Sequence, residues 1–133
     1  MRRFPIRAAA AVMVFSLLSA GCADGERPMC EGLAEVRHSV ENLRNVNLSE
    51  NGVSALGSAL TQLKAEVIEL AADTQSKYGP YADGVSTAME QLSASVSTAK
   101  ADPTLVNLTA VRTAFTGLRE AVQQFRTAAA EAC

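Results

Sequence analysis

Apolar side chains recur at alternating spacings of three and four residues through most of the chain beyond residue 30. This spacing places them on one face of an α-helix, because about 3.6 residues complete each turn. A repeat of seven residues further favours helices that pack with nearly aligned axes as a left-handed bundle. The sequence therefore predicts an all-α fold with four apolar stripes, formed by Leu33, Val36, Val40 and Leu43; by Val53, Leu56, Leu60, Leu63, Val67, Leu70 and Thr74; by Tyr81, Val85, Met89, Leu92, Val96 and Ala99; and by Leu108, Val111, Phe115, Leu118, Val122, Phe125 and Ala129.

Residues typical of turns separate the four stripes. The segment 45–52 is rich in Asn, Ser and Gly, while Gly79-Pro80 and Asp102-Pro103 mark the second and third connections. We expect Gly79 to end the second helix in a left-handed conformation, Pro80 to open the third, and Asp102 to cap the fourth. Because all three connections are short, the prediction is an antiparallel up-down-up-down four-helix bundle.

The N-terminus has the organisation of a secretory signal peptide. Arg2, Arg3 and Arg7 precede an apolar run over residues 8–18, which is followed by small residues. A stable membrane span needs roughly 18 to 20 apolar residues, so this run is too short to anchor the protein by itself. We expect residues 1–21 to be a signal peptide that is cleaved.

The sequence Leu17-Leu18-Ser19-Ala20-Gly21-Cys22 resembles the lipobox of bacterial lipoproteins. Most lipoboxes have Leu three positions before the cysteine, where this chain has Ser19. The resemblance implies that Cys22 becomes the mature N-terminus, carries a diacylglycerol thioether and palmitate-type acyl chains, and anchors the protein at the outer face of the membrane. The alternative is ordinary secretion with a free Cys22. The Ala-rich, Lys-poor mature sequence is similar to small actinobacterial envelope proteins of unknown function.

An odd number of cysteines is unusual in an oxidising compartment, but lipidation of Cys22 would leave an even number. Cys30 and Cys133 then remain as a pair at the two ends of the mature domain, and we expect a disulfide between them. An even number of antiparallel helices would bring these two residues to the same end of the bundle. Two free thiols are the alternative. His38 is the one histidine, so no metal site is expected.

These features divide the chain into a signal peptide at 1–21, a membrane-proximal tether at 22–29 and a helical domain at 30–133. Without residues 1–21, nine basic residues face fourteen acidic ones, a net charge of −5. This mild acidity argues against nucleic acid as a partner, because phosphate backbones require a clustered basic face.

No catalytic constellation emerges from the sequence. The predicted inward positions lack the Glu-x-x-His motif of di-iron bundles, and neither a Gly-rich phosphate loop nor a Ser-His-Asp set can be assembled. His38 lies off the apolar stripe and is interpreted as a surface residue. The expectation is a protein that is not an enzyme and uses no cofactor.

Two features are candidates for binding. Tyr78 and Tyr81 flank Gly79-Pro80, and we place them at the bundle end opposite the cysteines, either closing the core or forming a tip that contacts a partner protein. Small residues beside the second and fourth stripes, among them Gly57 and Gly117, would let those helices approach closely or leave an apolar groove. The predicted function is a structural or interaction role with an unknown envelope protein, with a carrier or sensor of a lipophilic ligand as the alternative; the oligomeric state is left open.

Overall fold

A computed structural model describes residues 27–45 and 50–133. Within these ranges all regular secondary structure is helical, which confirms the all-α class. The elements are α1 (Arg27–Arg44), α2 (Glu50–Asp73), a single 3₁₀ turn (Ser76–Tyr78), α3 (Gly79–Ala101) and α4 (Leu105–Ala128). The predicted signal peptide and Cys22 lie outside the described residues.

Helix α1 begins at Arg27, three residues before the predicted start of the helical domain. Pro28 stands in its first turn, where a missing N–H leaves no hydrogen bond unmade. Met29 is fully buried. The apolar stripe of α1 thus continues back to Met29, four residues before Leu33.

The four predicted stripes form the core. Nineteen stripe residues are buried, and the side chains of Val36, Leu63, Val85 and Leu118 are entirely shielded from solvent. Leu108 and Phe115 pack at the edge of the core. Tyr81 remains 41% exposed, and Thr74 is half-buried. The side chain of Val53 lies outside the described part of the chain.

The helix ends differ from the prediction at two residues. Gly79 has a right-handed backbone (φ −48°, ψ −48°) and is the first residue of α3, so it does not act as a left-handed stop. Thr104, not Asp102, caps α4: its hydroxyl oxygen accepts a hydrogen bond from the backbone N–H of Asn107 at 3.2 Å. Asp102 instead ends α3, and its carbonyl oxygen accepts a hydrogen bond from Asn107 Nδ2 at 2.7 Å.

Each helix packs against the next along the chain, and α1 also contacts α4, which gives a bundle-like fold. The contact between α3 and α4 is the most extensive of these, and that between α1 and α4 is the least. Among the described helices, none is both long enough and apolar enough to cross a membrane.

Candidate functional site

A disulfide joins Cys30 to Cys133, as predicted. The two Cα atoms lie 5.5 Å apart although 103 residues separate them along the chain. Cys30 stands in the first turn of α1, and Cys133 follows the last turn of α4, where its backbone N–H donates to the carbonyl oxygen of Ala129. The bond therefore fixes the start of the first helix to the end of the last.

Tyr78 and Tyr81 lie at this cysteine end, so the prediction that placed them at the opposite end is wrong. Each ring meets the ring of Phe125 edge-on, with centroids 6.3 Å apart in both pairs. Phe125 stands in the last turn of α4, eight residues before Cys133. Gly32 near the start of α1 likewise lies close to Leu70 near the end of α2, the helix that precedes Tyr78. Tyr78 is buried and closes the core, while Tyr81 is partly exposed.

The small residues beside the second and fourth stripes do not bring α2 and α4 together as predicted. A Cβ at Gly57 would lie 3.3 Å from Nζ of Lys100, which belongs to α3. A Cβ at Gly117 would meet nothing within 4 Å. A glycine does lie at the contact between α1 and α2, where a Cβ at Gly32 would stand 3.4 Å from Cδ1 of Leu70.

A cavity of about 380 Å³ opens at the junction of α1 and α4. Its apolar lining comes from all four helices. The apolar residues are Leu43, Leu56, Leu60, Leu92, Val96, Val111 and Phe115. This volume falls at the lower end of the range for small-molecule sites, which is roughly 300 to 1,000 Å³.

Three arginines line the same cavity: Arg44 of α1, and Arg112 and Arg119 of α4. A second cavity of about 320 Å³ shares Thr116 and Arg119 with the first and adds Arg37 and Arg126. We call the surface formed by these five arginines the basic cleft. Arg112, Arg119 and Arg126 follow one another at seven-residue intervals, as do Arg37 and Arg44, which keeps each set on one face of its helix.

The basic cleft holds more positive than negative charge. Glu41 and Glu120 are the acidic residues that line its cavities, and Glu41 pairs with Arg44 at 3.7 Å. Arg126 donates a hydrogen bond to Gln123. Within the part of the chain that the structure describes, Arg37, Arg112 and Arg119 form no ion pair. The cleft can therefore attract an anion.

The opposite side of α1 carries the opposite charge. Glu31 and Glu35 of α1 face Glu66, Glu69 and Asp73 of α2 around a smaller cavity of about 150 Å³. We call this surface the acidic seam. Gln62 donates to Oε1 of Glu66 at 3.1 Å, while Oε2 of Glu66 is buried without a hydrogen-bond partner.

Across residues 27–45 and 50–133, no group of three or more His, Cys, Asp and Glu side chains is arranged to hold a metal ion. Glu35 and His38, which have Glu-x-x-His spacing, are both exposed on α1. These two side chains thus face solvent, in contrast to the inward-pointing ligands of metal-binding bundles.

The sequence interpretation did not identify the basic cleft. Its signal is the seven-residue spacing of arginines on the first and last helices, which can be read from the sequence alone. The cavity behind those arginines has no such signal, because it depends on how closely the helices approach. The interpretation also missed Leu105 and Val106, which are 78% and 77% exposed at the start of α4.

The basic cleft and the cavity behind it are thus the best-formed candidate site in the described residues. Comparisons of this chain with protein families, with curated proteins and with solved structures find no match.

Proposed function

We propose that this protein is a lipid-anchored, non-catalytic component of a bacterial cell envelope, with a structural or protein-interaction role. The observation that carries the proposal is the disulfide between Cys30 and Cys133. A bond of this kind persists in exported proteins, and it uses both cysteines outside the N-terminal segment. Cys22, in its lipobox-like setting, is then the cysteine that remains for lipid, after cleavage of residues 1–21.

The proposed topology is the antiparallel up-down-up-down four-helix bundle. Contacts between the beginning of one helix and the end of another support it. Gly32 near the start of α1 meets Leu70 near the end of α2, and Gly57 of α2 lies close to Lys100 near the end of α3. Tyr81 near the start of α3 packs on Phe125 near the end of α4.

The proposed anchor lies close to the cysteine end of the domain. Arg27, at the start of α1, follows Cys22 by five residues, so the two are at most about 18 Å apart in a fully extended chain. The partly exposed ring of Tyr81 then belongs to the end nearer the membrane. Tyr78 and Tyr81 therefore remain proposed contact residues, with a partner located beside the bilayer rather than at a distance from it.

The experiment that tests the anchor is mass spectrometry of the mature N-terminus in cells that express the intact gene. We expect a diacylglyceryl group on Cys22 and recovery in the membrane fraction. Cys22→Ser should remove both, whereas the double variant Cys30→Ser with Cys133→Ser is the matched control and should keep both. An unmodified Cys22 in a secreted protein would contradict the proposal.

The interaction role is tested by crosslinking in the native envelope. We expect a captured neighbour whose yield falls when Tyr81→Ala replaces the exposed ring. Glu90→Ala, an exposed change on the same helix, should leave the yield unaltered and serves as the control. Equal capture by Tyr81→Ala and Glu90→Ala would show that the Tyr81 ring does not contact the neighbour.

A second candidate function is the carriage or sensing of a lipophilic ligand. The observation that favours it is the cavity of about 380 Å³, whose inner wall of Leu and Val side chains reaches into the core. Native mass spectrometry of protein released gently from its membranes should show a bound molecule, and a mass equal to that of the lipidated chain alone would count against the idea.

A further inference from the structure

We infer that the cavity at the junction of α1 and α4 takes the single apolar tail of an anionic amphiphile, whose carboxylate or phosphate headgroup is held by Arg44, Arg112 and Arg119. The inference deepens the second candidate function and rests on it. It adds the chemical class of the ligand and the direction in which the ligand enters.

The apolar lining of the cavity indicates a tail. Leu60 of α2 and Val96 of α3 line the same space as Arg112 of α4. A ligand that fills this space must therefore contact apolar side chains from all four helices. Since about 380 Å³ is near the lower limit for ligand sites, one tail fits the space better than two.

The polarity of the walls sets the orientation of the ligand. Arg44, Arg112 and Arg119 are exposed, so their charged groups lie at the solvent side while the buried Leu and Val side chains form the interior. A guanidinium group presents paired donors that match the two oxygens of a carboxylate or phosphate. The headgroup is thus expected at the opening, with the tail directed inward.

The positive charge of the three arginines also disfavours amphiphiles with a cationic headgroup. Arg112 and Arg119 are separated by two helical turns, a rise of about 10.5 Å, and Phe115 lines the cavity between them. A cationic headgroup at this point would be repelled by both guanidinium groups and by Arg44. Glu41, the nearby acid, already pairs with Arg44 at 3.7 Å.

Calorimetric titration of the full-length, disulfide-bonded protein tests the inference. The probes are dodecanoate and dodecyl phosphate, with dodecyltrimethylammonium as a cation of the same tail length and inorganic phosphate as a headgroup without a tail. All are used below their micelle-forming concentrations. We expect one saturable site for each anionic probe, binding of the cation at least tenfold weaker, and no measurable binding of phosphate.

Two variants separate the contribution of the headgroup from that of the tail. Arg112→Gln combined with Arg119→Gln should weaken dodecyl phosphate binding at least tenfold, while the control Arg27→Gln combined with Lys64→Gln removes the same charge elsewhere and should change it less than twofold. Thr116→Trp places a large ring at the cavity from an exposed position, so it should abolish binding without unfolding the protein. Circular dichroism checks the fold of each variant.

Three results would overturn the inference. Equal binding of the cationic probe would show that the arginines do not select the headgroup. Unchanged binding in Thr116→Trp, together with attraction to vesicles rich in phosphatidylglycerol, would show that the arginines attract an anionic surface without taking up a tail. Absence of binding by every tailed probe would contradict both the inference and the second candidate function. The proposed lipid anchor at Cys22 is tested separately, by mass spectrometry of the mature N-terminus.

Discussion

Helix α1 packs on two neighbours in contrasting ways. On the α2 side, Gly32 lets the two backbones approach, and a Cβ there would contact Leu70 at 3.4 Å. On the α4 side the contact is less extensive, and cavities lined by arginines extend along it. The disulfide joins α1 to the end of α4 at the cysteine end of the cleft.

The contrast shows how one helical fold can combine a closely packed contact with a cavity. Close packing fixes side chains and removes space, so a helix pair that packs tightly has little room for another molecule. Helices α1 and α4 have a less extensive contact, and the disulfide adds a covalent link between them. The charges follow the same division, with the acidic seam beside the tight contact and the basic cleft beside the loose one.

The largest effect is expected when a buried leucine is replaced by alanine at the α1–α2 contact, compared with the same change at the cavity. Leu70→Ala removes a side chain that is 1% exposed and packed at the α1–α2 contact, so we expect a loss of about 3 to 5 kcal/mol in the free energy of unfolding. Leu60→Ala alters a wall of the existing cavity, where fewer neighbours are lost, and should cost about 2 kcal/mol. Urea denaturation measures both, and equal losses would mean that the cavity wall is as well packed as the α1–α2 contact.

Reduction of the disulfide ranks next. A cross-link across 103 residues restricts the unfolded chain strongly, and its removal should lower the free energy of unfolding by about 2 to 4 kcal/mol. The measurement is urea denaturation with and without reductant. The double variant Cys30→Ser with Cys133→Ser is the control, since its stability should not respond to reductant. A loss below about 1 kcal/mol would indicate that noncovalent packing already holds α1 to α4.

The sequence predicts the core because burial follows from spacing within one helix. Residues such as Val36 and Leu118 need only the helical period to be assigned to the interior, and both are fully buried. The disulfide was predictable for a related reason, since an even number of antiparallel helices would return the chain to its starting end. Tyr78 and Tyr81 instead pack on Phe125, eight residues before Cys133, although the sequence interpretation put them at the far end.

The cap of α4 and the cavity could not be predicted from the spacing of apolar residues. Whether Asp102 or Thr104 caps α4 depends on where the backbone enters the helix, which the motif Asp-Pro leaves open. The cavity depends on the distance between α1 and α4, and this distance reflects the combined packing of all four helices. The arginines of the basic cleft are visible as a seven-residue pattern, but only the structure shows that they stand beside an apolar opening.

Two glycines offer a sharper test of the contrast. Gly32→Leu should wedge α1 away from α2 and destabilise the protein by about 1 to 3 kcal/mol, because the added atoms meet Leu70. Gly117→Leu is the matched change on α4, where a new Cβ meets nothing within 4 Å, and its higher helix propensity should stabilise by up to about 1 kcal/mol. Thermal unfolding of both variants reports the sign. If Gly117→Leu destabilises the protein as much as Gly32→Leu, the space around residue 117 is no larger than the space around residue 32.

The smallest effect concerns the charges on the two sides. Glu69 lies three residues after Glu66 and four before Asp73, so Glu69→Gln should relieve repulsion and stabilise the protein by about 0.2 to 0.5 kcal/mol at low salt. Arg119→Gln removes a charge whose arginine neighbours on α4 are seven residues away, and it should change stability less. Denaturation at low salt and near 1 M salt measures both, with Glu90→Gln as an exposed control on α3. Because a screening length of about 3 Å at 1 M salt suppresses repulsion between exposed charges, the advantage of Glu69→Gln should disappear there. If it persists, the gain comes from the local hydrogen bonding of Gln and not from the concentration of negative charge in the acidic seam.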